Sequence, residues 1–166
     1  MIIADTNIVS EFMKDTPDPH VLAWAHSVGA ADLTISVVTV EEIDRGLGRL
    51  PKGRRRKDLE RRWATLLDAF ADTIATYDVP AARATARLVV ASLDQGRPMS
   101  LADAQIGGIC LTHAATLATR NMKDFSSIGD LTLINPFDHP HPSRTERGGH
   151  GNHPGRPRAS QRRTRD

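Results

Sequence analysis

The sequence predicts an α/β protein with a mainly parallel central sheet flanked by helices on both faces. Two observations predict it. Short apolar, partly β-branched runs bounded by polar residues alternate with longer stretches of helical periodicity. Strands interleaved with helices pair in parallel, because the helix supplies the crossover and covers a face of the sheet.

The elements follow in order. Ile2-Ile3-Ala4 reads as the first strand, with Asp5 ending it. Helical patterns cover 7–13 and 19–28, and a second strand is expected over 33–37. A helix over 40–50 and another over 55–71 are separated by Pro51-Lys52-Gly53, the residues that punctuate helices. A third strand is expected over 73–77. A helix over 79–95 follows, where Ala82, Ala86, Val89, Val90 and Leu93 recur at helical spacing. The last helix spans 101–114, and strands over 116–119 and 131–134 complete the sheet. The domain closes near Asn135-Pro136-Phe137, and no internal repeat is visible.

Composition sets further bounds. The chain has 166 residues, which fits one domain with a tail, and its 39% hydrophobic residues are a little low for a globular protein, so part of the chain is expected not to fold. No apolar run approaches the roughly 20 residues of a membrane span. The N-terminus lacks a basic start before its apolar stretch and carries Asp5 early, so a cytosolic protein without a signal peptide is expected. The single cysteine, Cys110, excludes an intrachain disulfide framework and a cysteine zinc site.

Charge divides the chain. Residues 139–166 hold seven Arg against Glu146 and Asp166, a net of +5, and no Leu, Ile, Val, Phe, Met, Trp or Tyr. Such a segment cannot bury apolar area to offset its ordering entropy, so it reads as a disordered basic tail after a domain over 1–138. It either holds nucleic acid non-specifically or is a neutral extension. A second basic block, residues 45–62, carries nine Lys or Arg against Asp58 and Glu60. Arg54, Arg55, Arg56 and Lys57 at its centre are candidates for a phosphate-binding rim, with a solvated face as the alternative.

In a parallel sheet, ligands sit beyond the carboxyl ends of the strands. The residues there are mostly acidic: Asp5 after the first strand, Glu42 in TVEEIDRG, Asp103 in SLADAQIGG and Asp124 in LATRNMKDF. Each has a plain structural explanation. Asp5 suits a helix cap, Thr39 to Glu42 and Ser100 to Asp103 fit capping boxes, and Asp124 suits a turn. Together they suggest more. Asp5 and Asp103 interrupt apolar or small-residue stretches, and carboxylates crowded out of water repel unless a cation compensates. Oxygen-only donors suit Mg²⁺ or Mn²⁺. Thr6 and Asn7 are suited to orienting ligands or to starting a helix. Ser36 and Thr119 could serve the same way, and the sequence does not decide it. Arg120 is a cation for a substrate phosphate or a salt-bridge partner for a neighbouring acid.

MIIADTNIVSE, TVEEIDRG, SLADAQIGGIC and LATRNMKDF, in that order and spacing, resemble the PIN-domain ribonucleases, and among them the VapC toxins of type II toxin–antitoxin modules, in the FitB-like branch. The resemblance covers about residues 1–138 and implies the PIN fold. It implies an Mg²⁺-dependent endoribonuclease that hydrolyses RNA phosphodiester bonds, a cognate antitoxin and a homodimer. Asp5, Glu42 and Asp103 match the family's three main acids, and Asp124, with Asn121 nearby, takes the fourth place. Asp5 and Asp103 would then ligate metal, Glu42 would bind metal or hold water and act as base, and Asp124 would complete the outer shell. The tail has no counterpart in the family pattern. Two other readings stay open: a non-catalytic nucleic-acid or protein-binding module that keeps the fold, and a metal-dependent DNA nuclease.

Overall fold

The computed structural model describes residues 1–29, 31–126 and 128–140. The expected basic tail lies outside the described residues from His141 onward. Four strands form one sheet: β1 (Ile2–Ala4), β2 (Leu33–Ile35), β3 (Thr116–Ala118) and β4 (Leu133–Ile134). Seven α-helices connect them among the described residues. They are α1 (Thr6–Phe12), α2 (Pro19–Val28), α3 (Val37–Arg49), α4 (Arg54–Phe70), α5 (Val79–Asp94), α6 (Leu101–Thr112) and α7 (Met122–Phe125). A 3₁₀ turn, Pro136–Asp138, follows β4.

The strand order is β2-β1-β3-β4, and every pairing is parallel. Ile2 is in register with Leu33 on one side and Thr116 on the other. The alternation of side chains across the strands feeds two cores. Ala4, Leu33, Ile35 and Ala118 pack with α1, α3 and α4 through Ile8, Ile43 and Trp63. Ile3 and Leu117 point to the other face, against Ile106, Ile109 and Cys110 of α6 and Phe125 of α7.

Two expectations are corrected. The strand over 33–37 and the capping box at Thr39 give way to a helix that starts earlier. The Ser36 hydroxyl accepts the Thr39 N–H at 3.1 Å, so Ser36 caps α3 and Thr39 is buried inside it. A side-chain cap outweighs the β preference of Val37 and Val38. The strand over 73–77 shrinks to one bridge, Ser36 with Ala75, because the partner backbone turns helical at Val37.

α6 lies tightly against α5. A Cβ at Gly108 would come within 2.4 Å of Thr85 Oγ1 and 2.7 Å of the Ala81 carbonyl, so only glycine permits this approach. Thr85 fills the contact, donating to the carbonyls of Ala81 and Ala104. That packing fixes where the first turn of α6, and with it Asp103, stands above the sheet.

Candidate active site

The carboxyl edge of β1 and β3 is where the connections leave the sheet in opposite directions, the switch point at which open α/β sheets bind ligands. Asp5 stands there, 4% exposed. Its backbone N–H donates to the Ala118 carbonyl at 3.0 Å, which ties it to the end of β3. Its side chain has two duties. Oδ1 accepts the Ile8 N–H at 2.9 Å and caps α1, and Oδ2 accepts the Thr119 hydroxyl at 2.6 Å. Thr119 is fully buried, and its oxygen also accepts the Asn121 N–H at 2.9 Å. The hydroxyl left undecided by the sequence thus belongs to Asp5, whereas Ser36 is spent on capping α3.

Burial pushes the Asp5 carboxyl above its ordinary value. Hydrogen bonds from Thr119, Ile8 and Asn7 pull it partly back, and the charge of Asp103 pushes it up again. Asp103 is also raised by burial, opposed by the Ser100 hydroxyl and reinforced by the charge of Asp124. The mutual repulsion places Asp5, Asp103 and Asp124 in one electrostatic group. Ser100 works twice on Asp103: its oxygen accepts the Asp103 N–H at 3.0 Å and its hydroxyl donates to Oδ2 at 2.7 Å. Asp124 is held by the side-chain amide of Asn121.

Glu42, half-buried on α3, joins from the β2 side. Thr6, next to Asp5, donates its hydroxyl to Glu42 Oε2 at 2.5 Å. Arg45 lies 3.8 Å from Glu42 Oε1. A cleft of about 480 Å³ between α1, α3 and α4 opens at Thr6 and Glu42, with Met13, Ile43, Leu47 and Arg55 in its lining.

The basic rim does not form as one surface. Consecutive residues on a helix point about 100° apart, so the four cations of α4 fan out. Arg55 faces the cleft beside Glu42, while Arg54 and Lys57 line a different hollow. Arg56 is committed to structure: its guanidinium donates to Glu60 at 2.6 Å and to the Gly48 carbonyl at 3.1 Å. Arg120 makes no salt bridge among the described residues. Its guanidinium lies 4.7 Å over the Phe137 ring, a cation–π contact invisible in sequence because the two elements meet only in the fold.

The donors offered at the switch point are all oxygens. Among the described residues no three Asp, Glu, His or Cys side chains converge into a ready-made metal cage. Carboxylate oxygens suit a hard cation such as Mg²⁺, which is commonly bound through one or two carboxylates together with water and substrate phosphate. Asp5 and Asp103 are the carboxylates that such an ion would relieve, since the charge of Asp103 raises Asp5 and that of Asp124 raises Asp103.

Comparison with known proteins agrees with this geometry. The PIN domain family model matches residues 2–131. The chain is 34% identical over 139 residues to VapC ribonuclease Y4jK of Sinorhizobium fredii, an alignment covering 83% of this chain and 99% of that protein. It is 32% identical over 138 residues to toxin FitB of Neisseria gonorrhoeae, covering 82% and 99%. The structure of FitAB bound to an IR36 DNA fragment superposes with a TM-score of 0.76 at 32% identity, covering 85% of this chain and 99% of the matched one. A parallel sheet with acids at its switch point, this family match and these relatives lead to one conclusion: the chain belongs to the PIN-domain family, among the VapC and FitB toxins of toxin–antitoxin systems.

Proposed function

We propose that the chain is an Mg²⁺-dependent endoribonuclease, with Mn²⁺ as a substitute, and the toxin of a type II toxin–antitoxin module. The carrying observation is Asp5, a buried carboxylate at the carboxyl end of a central parallel strand that faces the charge of Asp103. Such a pair is unfavourable as two anions unless a cation stands beside it.

Asp5 and Asp103 would hold the ion, with Glu42 beside them and Asp124 in the outer shell. When bound, the ion would offset charge on the phosphate oxygens and lower the pKa of water so that it can be deprotonated for attack. The protein's own groups do the rest. Thr119 and the Ile8 N–H fix the Asp5 oxygens, and Ser100 fixes those of Asp103. Thr6 occupies Oε2 of Glu42, and Oε1, with Arg45 3.8 Å away, would accept the proton of the attacking water. Attack at phosphorus in line with the leaving ribose oxygen then breaks the P–O bond, and that oxygen leaves as a hydroxyl by taking up a proton from solvent.

The same reading gives the chain partners. VapC and FitB relatives and the FitAB complex support a cognate antitoxin protein. A homodimer is supported by the solvent side of α5, where Val79, Val90 and Leu93 are 66%, 57% and 59% exposed in one stripe. Light scattering on a Val90→Asp variant tests it. No helix among the described residues is long and apolar enough to cross a membrane.

The deciding experiment is a cleavage assay on structured RNA with Mg²⁺, with EDTA, and with Asp5→Asn, beside DNA of the same sequence. Cleavage of RNA that needs both Mg²⁺ and Asp5 is expected. Cleavage of DNA alone assigns a DNA nuclease, and RNA binding without cleavage assigns a non-catalytic module.

A further inference from the structure

The acids leave open how a strand of negative charge is drawn across a negatively charged pit. Most cations near the site are already engaged. Lys14, Arg45, Arg56, Arg61 and Arg62 are in ion pairs, and Arg120 is stacked on Phe137. On the Glu42 side, Arg55 remains. On the other side two cations stand with Asp124 around a hollow of about 370 Å³: Arg97, just before α6, and Lys123 in α7. Both are exposed, and neither forms an ion pair among the described residues.

Their backbones are fixed. Gly96 has φ +65°, its N–H donates to the Leu93 carbonyl at 2.9 Å, and the Arg97 N–H donates to the Ser92 carbonyl at 2.9 Å. This is the Schellman closure of α5, which takes a left-handed residue at the Gly96 position and seats the next residue in one place. Pro98 then stiffens the chain into the Ser100 cap of α6. Lys123 is placed by its neighbours, with the Asn121 N–H bound to Thr119 and Phe125 fully buried. An exposed cation without a protein partner, held on a fixed backbone beside a site acid, is suited to a phosphate.

We propose that Arg97 and Lys123 hold an RNA backbone phosphate adjacent to the scissile one, on the Asp103–Asp124 side of the site. The inference rests on the ribonuclease reading and adds a path to it. The strand runs along the carboxyl edge of the sheet, from Arg55 beside Glu42, over Asp5, to Arg97 and Lys123. Neighbouring strands are about 4.8 Å apart, so β2 and β3 at the two ends of this path are separated by about 10 Å. Neither residue touches the reacting bond; both position the strand.

The test uses the full chain carrying Asp5→Asn, so that RNA is bound and not cut. A fluorescein-labelled single-stranded RNA is titrated at several salt concentrations, read by anisotropy. Arg97→Gln/Lys123→Gln is expected to weaken binding at least tenfold and to flatten the salt slope by about 0.7, the value for one phosphate contact on a single strand. Arg83→Gln/Arg87→Gln, which removes the same charge from exposed positions on α5, is expected to change it little. Arg97→Lys/Lys123→Arg is expected to restore binding. With the Asp5 side chain intact, the Gln pair should raise KM for RNA cleavage and leave kcat within about twofold. Unchanged affinity and slope, or an equal loss in the α5 pair, overturns the proposal. If the parent protein binds RNA with this dependence on Arg97 and Lys123 but cuts nothing, the ribonuclease reading fails and the phosphate site stands. If it cuts RNA and the Gln pair leaves KM unchanged, the phosphate site alone fails.

Discussion

Asp5 and Asp103 carry carboxyl groups that the fold makes reluctant to ionise, and stability against pH records it. Both are raised from an ordinary value of 3.8 by burial and by like charge. As pH rises from that value through the raised one, the unfolded chain has already released protons that the folded chain still holds. Stability therefore falls across this window, and above it the penalty is complete. Asp103→Asn removes one ionisable member and keeps an oxygen for the Ser100 hydroxyl. In EDTA the variant is expected to melt a few degrees above the wild type at neutral pH and to lose that advantage in acid. Adding Mg²⁺ should narrow the neutral-pH gap by stabilising the wild type more. Thermal melts over a pH series check this, and a gap independent of pH would refute it.

At the scale of elements, the approach of α5 to α6 is the feature on which the site's geometry depends. Gly108→Ala puts a methyl against Thr85 Oγ1 and the Ala81 carbonyl, and backbone cannot yield as a side chain can. The cost is expected at about 1–3 kcal/mol, the range for overpacked cores, with cleavage reduced because Asp103 moves with α6. Gly107→Ala meets the tip of Leu88 at 3.0 Å and the Phe125 ring at an ordinary 3.5 Å, and should cost less. Urea denaturation of the two variants ranks them. These elements also show what can be read in the sequence. Strand–helix alternation and residues following the strands are local signals, so the parallel sheet, Asp5, Asp103 and the Ser100–Asp103 capping pair were legible. The start of α3 was not, because Val37 and Val38 read as strand and only the Ser36 hydroxyl reverses the preference. Thr119 and Asp5 meet across 114 residues, and Arg120 finds Phe137 only after β4 closes the sheet. Such pairings depend on register, which no local spacing encodes.

For the whole molecule, the question is where the cooperative unit ends. The sequence places the boundary at Asp138, but the His20 ring Nδ1 lies 2.7 Å from the His139 carbonyl, so the described chain continues to contribute one residue further. Residues 141–166 contain seven Arg and no large apolar side chain. A chain ending at Pro140 is expected to melt within about 1 °C of the full protein, since no core-forming side chain is removed. One ending at Asp138 should melt slightly lower. RNA affinity of the shorter chain should fall, most at low salt, as the seven cations leave. Differential scanning calorimetry and anisotropy of the three lengths test it, and a large thermal loss at Pro140 would mean that the tail docks on the domain.

The double duty of Asp5 has a practical consequence for anyone who must grow cells that carry this gene. One buried side chain caps α1 and, on the ribonuclease reading, also holds the metal, so Asp5→Ala is expected to disarm the protein and unpin its first helix together. A harmless preparation made that way would misreport how the active protein folds and what it binds. Asp103→Asn separates the two effects, because Ser100 rather than Asp103 caps α6. On the ribonuclease reading, losing the Asp5 carboxylate together with its cap is expected to cost activity and stability at once, whereas Asp103→Asn is expected to cost activity alone.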